Sequence, residues 1–312
     1  MCPFKPFSDS PLFDFQIPSF MELAVILIGL IVLGLCSGLF GALFGLGGGV
    51  IFVPILLLSG VAETATQAVA MSLVGIIAGS VGASTVLISK GLSNVRLGLM
   101  MEITTCIGAI IGAILATYLE SWILMVLFSV IIIYSAFRMI INPERTVEPS
   151  DGEDGPMTFR YRDESIGEDI RYEIQNVKSG MGICTFAGAI SSMTGVGGGA
   201  IKVPLMNLHM HIPMKAASST SSFMIGITAF SGAITYFFAG VFTDPAVSPL
   251  LSGAGIESLL PCAACLAFGA FSGSLIGARY ARRIPSSHLR KYFSIVLFVM
   301  AVLVLLQAGG VL

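Results

Sequence analysis

Two charges stand inside apolar stretches of this chain, where a charge needs a reason. Lys202 lies in "GGGAIKVPLM" and Glu102 in "LGLMMEITTC". A charge at membrane depth costs at least about 2.5–3.5 kcal/mol and marks an ion pathway or a paired group. Lys202 follows three consecutive glycines, Gly197, Gly198 and Gly199, in "TGVGGGAIKVP". The same break occurs earlier in "FGLGGGVIFVP", with Gly47, Gly48 and Gly49, and there the position of Lys202 is taken by Phe52. Glycine reaches φ > 0 at no steric cost and lets a solute approach the backbone. Each break opens a short helix whose first N–H groups lack partners and carry partial positive charge. Two such starts can converge on one anion. The six glycines and Lys202 are therefore the expected substrate-binding core. The competing reading has Lys202 snorkelling or paired with a carboxylate, and Glu102 is the conspicuous candidate. Glu102 could instead carry a coupling proton.

Hydroxyls come next. "SSTSS" at 218–222 offers Ser218, Ser219 and Ser222 as donors to anion oxygens, and Thr66, Gln67 and Ser72 occupy the related region of the first half. The same groups can bond their own helix carbonyls or join helices. Cys262 and Cys265 lie one helical turn apart, and "HMH" at 209–211 falls at a helix end. Both read more simply as packing and interface residues than as thiol or metal chemistry.

The elements that must position these groups are membrane helices. The chain is 55% hydrophobic and 11% charged, with a mean hydropathy of +0.92; a soluble domain carries about 25% charged residues. Its apolar runs are continuous, which excludes the alternating strands of a barrel. Ten segments are expected: 21–44, 50–60, 67–89, 98–119 and 121–141, then 180–195, 200–210, 216–240, 258–280 and 290–308. Residues 1–20 read as an N-terminal tail whose prolines do not suit a signal peptide. Residues 142–179 read as a polar cytoplasmic loop, between a first transmembrane repeat (21–141) and a second (180–312). The scattered cysteines do not form a disulfide framework.

The halves are related. The two break sequences align without gaps, Gly75 aligns with Gly226, and the Gly108–Gly112 spacing resembles Gly273–Gly277. The links holding Lys90, Arg96, Arg279, Arg282, Arg283, Lys178 and Lys215 share one side if all ten segments cross, and the positive-inside rule makes it cytoplasmic. Both termini then lie outside, and five crossings per copy give the repeats inverted topology. The expected fold is an all-α polytopic membrane protein, with two inverted repeats of about five segments and one short or broken helix in each. Paired Gly-broken segments in inverted repeats point to a transporter site near the bilayer midplane.

No nucleotide motif accompanies the membrane part, so transport would run on an ion gradient or the solute's own. An anion channel remains the nearest alternative. An intramembrane enzyme would need a nucleophile–base set or metal cluster, and the apolar segments supply none. The implied partners are a small anionic solute and the lipid bilayer of the cell membrane; no cofactor and no nucleic acid is expected, and oligomeric state is left open.

The stretches "GALFGLGGGVIFVPIL" and "SSMTGVGGGAIKVPLM", one at the start of each half, resemble the TauE/SafE sulfite exporter family. The resemblance spans roughly 25–140 and 180–308. It implies a permease of small sulfur-containing anions such as sulfite and organosulfonates; a non-sulfur organic anion is the alternative.

Overall fold

In the computed structural model, residues 19–141, 158–163, 168–243, 258–281, 298–299 and 301–306 are described. Helices dominate: α1 (Ser19–Phe44), α2 (Gly49–Leu58), α3 (Ala65–Ser89), α4 (Val95–Tyr118), α5 (Ser121–Ile141), α6 (Val177–Thr194), α7 (Gly199–Leu208), α8 (Met214–Phe238) and α9 (Leu260–Ala281). Nine expected segments thus appear within a few residues of their bounds. Of the tenth, only 298–299 and 301–306 are described, and both pieces are helical. Residues 1–18 of the tail and the stretch from 142 to 157 lie outside the described residues.

Local chemistry sets the boundaries. Thr64 and Gln67 form a capping box at the start of α3, and Asn94 caps α4 by accepting from the Leu97 N–H at 3.0 Å. Such caps satisfy N–H groups that the helix itself cannot. Among the described residues, five helices are long and apolar enough to cross a bilayer: Leu23–Phe44, Ala65–Ser89, Val95–Tyr118, Met214–Phe238 and Leu260–Tyr280. Their outward faces carry Val25, Val32, Ile103, Ile107, Phe230 and Phe268, all more than half exposed. Those side chains suit lipid tails and not water. The protein is an all-α membrane protein.

The helices pack closely because glycine lies at the crossings. α1 runs along α9, and α4 along α6. A Cβ on Gly108 or Gly112 would collide with the Thr185 or Ala189 carbonyl of α6, and one on Gly273 or Gly277 with the Leu35 or Leu39 carbonyl of α1. In return, Gly188 abuts the Thr105 carbonyl and Gly38 the Ala270 carbonyl. Each contact in one half recurs in the other at the matching position. This is small-residue packing of the kind that drives helix association in lipid, and it bears out the likeness of Gly108–Gly112 to Gly273–Gly277.

The pairing of Gly75 with Gly226 needs correction. Ser72 of α3 and Ser221 of α8 make the corresponding contacts, as do Ile76 and Ile225. Gly75 lies under the Phe52 ring, whereas Gly226 faces Ser80. Each glycine there makes room for a different neighbour, so the shared residue type does not mark a shared position.

The polar stretch between the halves also differs from a plain loop. Residues Thr158–Asp163 (β1) and Glu168–Glu173 (β2) pair antiparallel, with Phe159 opposite Tyr172 and Tyr161 opposite Ile170. Tyr161, Tyr172 and Ile174 are buried with Leu97, Met101, Met206 and Met210. The reason is legible in "FRYRD": aromatic residues alternate with charged ones at strand period, giving the hairpin one apolar face. The Gln175 N–H donates to the Met210 carbonyl (3.3 Å), which ties the hairpin to the end of α7.

Candidate functional site

The two breaks meet. Gly48 and Gly198, the N-cap residues of α2 and α7, sit at φ 80 and 75, and Gly47 and Gly197 at φ 77 and 85. These are left-handed angles that other residues adopt only under strain. A Cβ on Gly49 would strike the Gly195 carbonyl, and one on Gly199 the Gly45 carbonyl. Gly47 and Gly197 face the same two side chains, Ile76 of α3 and Ile225 of α8. The helix starts therefore converge, and buried isoleucine methyl groups cap the point where they do.

Hydroxyls hold the breaks from across the molecule. Ser72 donates to the Gly195 carbonyl (2.7 Å) and Ser221 to the Gly45 carbonyl (3.1 Å), so each half braces the break of the other. The caps differ. Ser37 donates to the Gly48 carbonyl at 2.6 Å. At the second break, Ser191 is buried against Gly198, with its Oγ 3.2 Å from where a Gly198 Cβ would stand, and that hydroxyl has no hydrogen-bond partner among the described residues.

Lys202 lies one turn into α7 and is fully buried. Its ammonium donates to Glu102 Oε2 (3.3 Å) and to Thr228 Oγ1 (2.5 Å). Thr228 in turn donates to Glu102 Oε1. Glu102 is 3% exposed and Thr228 fully buried. The set is a closed neutral triad on α4, α7 and α8, with Cys106 Sγ 3.7 Å from Glu102 Oε1. Of the two sequence readings of Lys202, the pairing with Glu102 is the arrangement present. Thr228 was missed by sequence reasoning. Its one signal is that it lies two turns beyond Ser221 on α8.

The first break has no such triad. Phe52 packs on Gly75, which Leu266 also approaches. Counting from the matched contacts of Thr105 with Ala270 and of Ser72 with Ser221, the counterparts of Glu102 and Thr228 are Ala267 and Gly79. The three positions that are apolar around the first break are polar or charged around the second.

The remaining candidates separate. Ser218 abuts Gly45, and Ser222 donates to the Ser218 carbonyl (3.0 Å). Ser222 also lines a small cleft with Gly47, Gly79 and Ser80 beside the first break. Ser219 donates to the Leu92 carbonyl at 2.7 Å and so ties α8 to the link before α4. Gln67 accepts the Glu63 N–H at 3.0 Å within its capping box, and Thr66 is half-buried beside it. No group of three or more His, Cys, Asp or Glu side chains fit to hold a metal occurs among the described residues.

Membrane-length helices packed through glycine around two broken helices, with a charge pair buried among them, define a polytopic membrane protein. Residues 30–304 match the family described as Sulfite exporter TauE/SafE, and the chain belongs to that family. A probable membrane transporter protein of Bacillus subtilis is 29% identical over 217 residues, 68% of this chain and 78% of that protein. One from Methanocaldococcus jannaschii is 26% identical over 294 residues, 91% and 97% of the two chains. One from Haemophilus influenzae is 22% identical over 276 residues, 87% and 93%. No solved structure matches the chain. The protein is thus a membrane transporter.

Proposed function

We propose that this transporter is a secondary permease of a small anion (sulfite, an organosulfonate or a related sulfur-containing anion) held between the two glycine-broken helix starts near the membrane midplane. The observation that carries the reading is the second break. There the unpartnered Ser191 hydroxyl lies against the N-cap Gly198 of α7, and Lys202 follows one turn later. A buried hydroxyl without a partner costs about 1–3 kcal/mol and calls for an explanation. A ligand oxygen at the helix start supplies one, and the partial positive charge of that start favours an anion. Gly47, Gly48, Gly49, Gly197, Gly198 and Gly199 give the backbone approach, Ser218 and Ser222 border it, and Lys202 provides the countercharge. Ser219, Thr66 and Gln67 serve by fixing the helices that carry these groups. The sulfur-anion class rests on the family's description.

In this reading the matched contacts of the halves belong to two repeats of inverted topology in the cell membrane. Both termini face outward and the 142–179 region is cytoplasmic. Transport, and not catalysis, is the activity.

The test is flux into proteoliposomes of purified protein, with sulfite, methanesulfonate and acetate compared. Saturable uptake of the sulfur anions, with countertransport, is expected, and Ser191→Ala should weaken it. Flux that neither saturates nor shows countertransport makes the protein a channel. No movement of either sulfur anion sinks the substrate class.

A further inference from the structure

We infer that the Lys202–Glu102–Thr228 triad is a proton-operated lock, so that a proton on Glu102 and an anion on Lys202 bind together and transport is a one-to-one proton–anion symport. The inference rests on the proposed anion site and adds the coupling ion, the stoichiometry and the reason for both.

The argument begins with charge balance in a place that water does not reach. As found, the ammonium of Lys202 is committed to Glu102 and Thr228, and the triad is neutral. An anion drawn to Lys202 with Glu102 still ionised would leave a net negative charge buried. A proton placed on Glu102 with no anion would leave a net positive one. Either state alone carries the penalty of an uncompensated charge at membrane depth. The two events together leave the interior neutral: a proton from water bonds to a Glu102 carboxylate oxygen, the Lys202–Glu102 ion pair breaks, and the anion takes the place of the carboxylate. Nothing is oxidised or reduced. Proton and monovalent anion cross as a neutral sum.

The surroundings leave this exchange to the triad. Among the described residues, the titratable groups near Glu102 are Lys202 on α7, Cys106 on its own helix and Cys184 on α6, which is within electrostatic reach of both charges. Thr228 can serve either state. Its hydroxyl accepts from Lys202 and has two acceptors within reach of its one proton, Glu102 and its own Met224 carbonyl at 3.1 Å, so it can turn to the carbonyl when the pair parts. The first break supports treating the three as one unit, since its counterparts are Phe52, Ala267 and Gly79, all apolar. A lysine kept only for packing would need no carboxylate and threonine to arrive with it.

The experiment measures the binding of methanesulfonate, which stays ionised across the pH range, to purified full-length protein in lipid nanodiscs. Sulfite is unsuitable because it takes up protons itself. Uptake of one proton per anion makes affinity rise tenfold for each unit of pH lowered. Glu102→Gln mimics the protonated carboxyl. It should bind methanesulfonate at the low-pH affinity of the parent at every pH, with the slope gone, and carry it without proton movement. Lys202→Met should lose binding. A parent that binds without pH dependence overturns the inference and leaves the anion site standing. Folded, monodisperse Glu102→Gln that fails to bind also overturns it. If the parent binds no methanesulfonate at any pH, the anion site itself fails for this ligand class, and the inference falls with it.

Discussion

Removing the ion pair as a whole should be easier on the protein than removing half of it. Lys202 and Glu102 meet at 3.3 Å with side chains 0% and 3% exposed. Lys202→Met leaves a carboxylate among apolar side chains, and Glu102→Leu leaves an ammonium. Deleting one partner of such a pair costs about 3–5 kcal/mol. The combined Lys202→Met, Glu102→Leu variant strands no charge, and Thr228 can still donate to Met224. Replacing a buried pair with apolar groups of similar volume ranges from neutral to about 1–4 kcal/mol stabilising, so the combined variant should unfold no more readily than the parent and should transport nothing. The assay is reversible unfolding in mixed micelles for all four proteins, with flux measured in parallel. Additive losses would refute the reasoning, since they would mean that each side chain contributes packing of its own and that the charge is not the issue.

Three further outcomes follow from the geometry. Gly49→Ala and Gly199→Ala each drive a methyl into a backbone carbonyl of the opposite break, so each should cost about 1–3 kcal/mol from overpacking and abolish flux in protein that still reaches the membrane. Ser72→Ala and Ser221→Ala each remove one brace between the halves, for about 0.5–1.5 kcal/mol, read as unfolding midpoints; a double variant that loses flux before stability would mark the braces as part of the moving site. Burial raises the Tyr172 phenol above its ordinary value of 10.0, so the docked hairpin favours the neutral ring. Docking should be unchanged by pH below that value and lost as pH rises through the raised one, followed by tyrosinate absorbance and by proteolysis within 158–173.

What the sequence disclosed and what it withheld have physical causes. The breaks were readable because their signature is local: three glycines between apolar runs leave the backbone few other courses. Glycine spacing on α4 and α9 was readable because a helix crossing repeats every turn. Lys202 and Glu102 stood out as charges in apolar company, yet their meeting across a hundred positions depends on how α4, α7 and α8 cross, which no spacing encodes. Thr228 escaped because a threonine in "FMIGITAF" looks like any small residue satisfying its own helix. Gly75 and Gly226 misled because a shared glycine records a neighbour's size and carries no register. The hairpin was hidden by its charges, which mask the aromatic alternation beneath them.

The cross-bracing of the breaks bears on how the chain is made. Gly45 receives its hydroxyl from Ser221, and Gly195 receives its own from Ser72. When the N-terminal half leaves the ribosome and enters the bilayer, α8 does not yet exist. The Gly45 carbonyl must then wait without the donor it will finally use, and an unmet backbone group in lipid costs several kcal/mol. The first half is thus an unfinished object until its counterpart has been inserted. Biogenesis should have a late consolidating step at the arrival of α8, and a ribosome stalled before residue 221 should expose a partly assembled species to quality-control proteases.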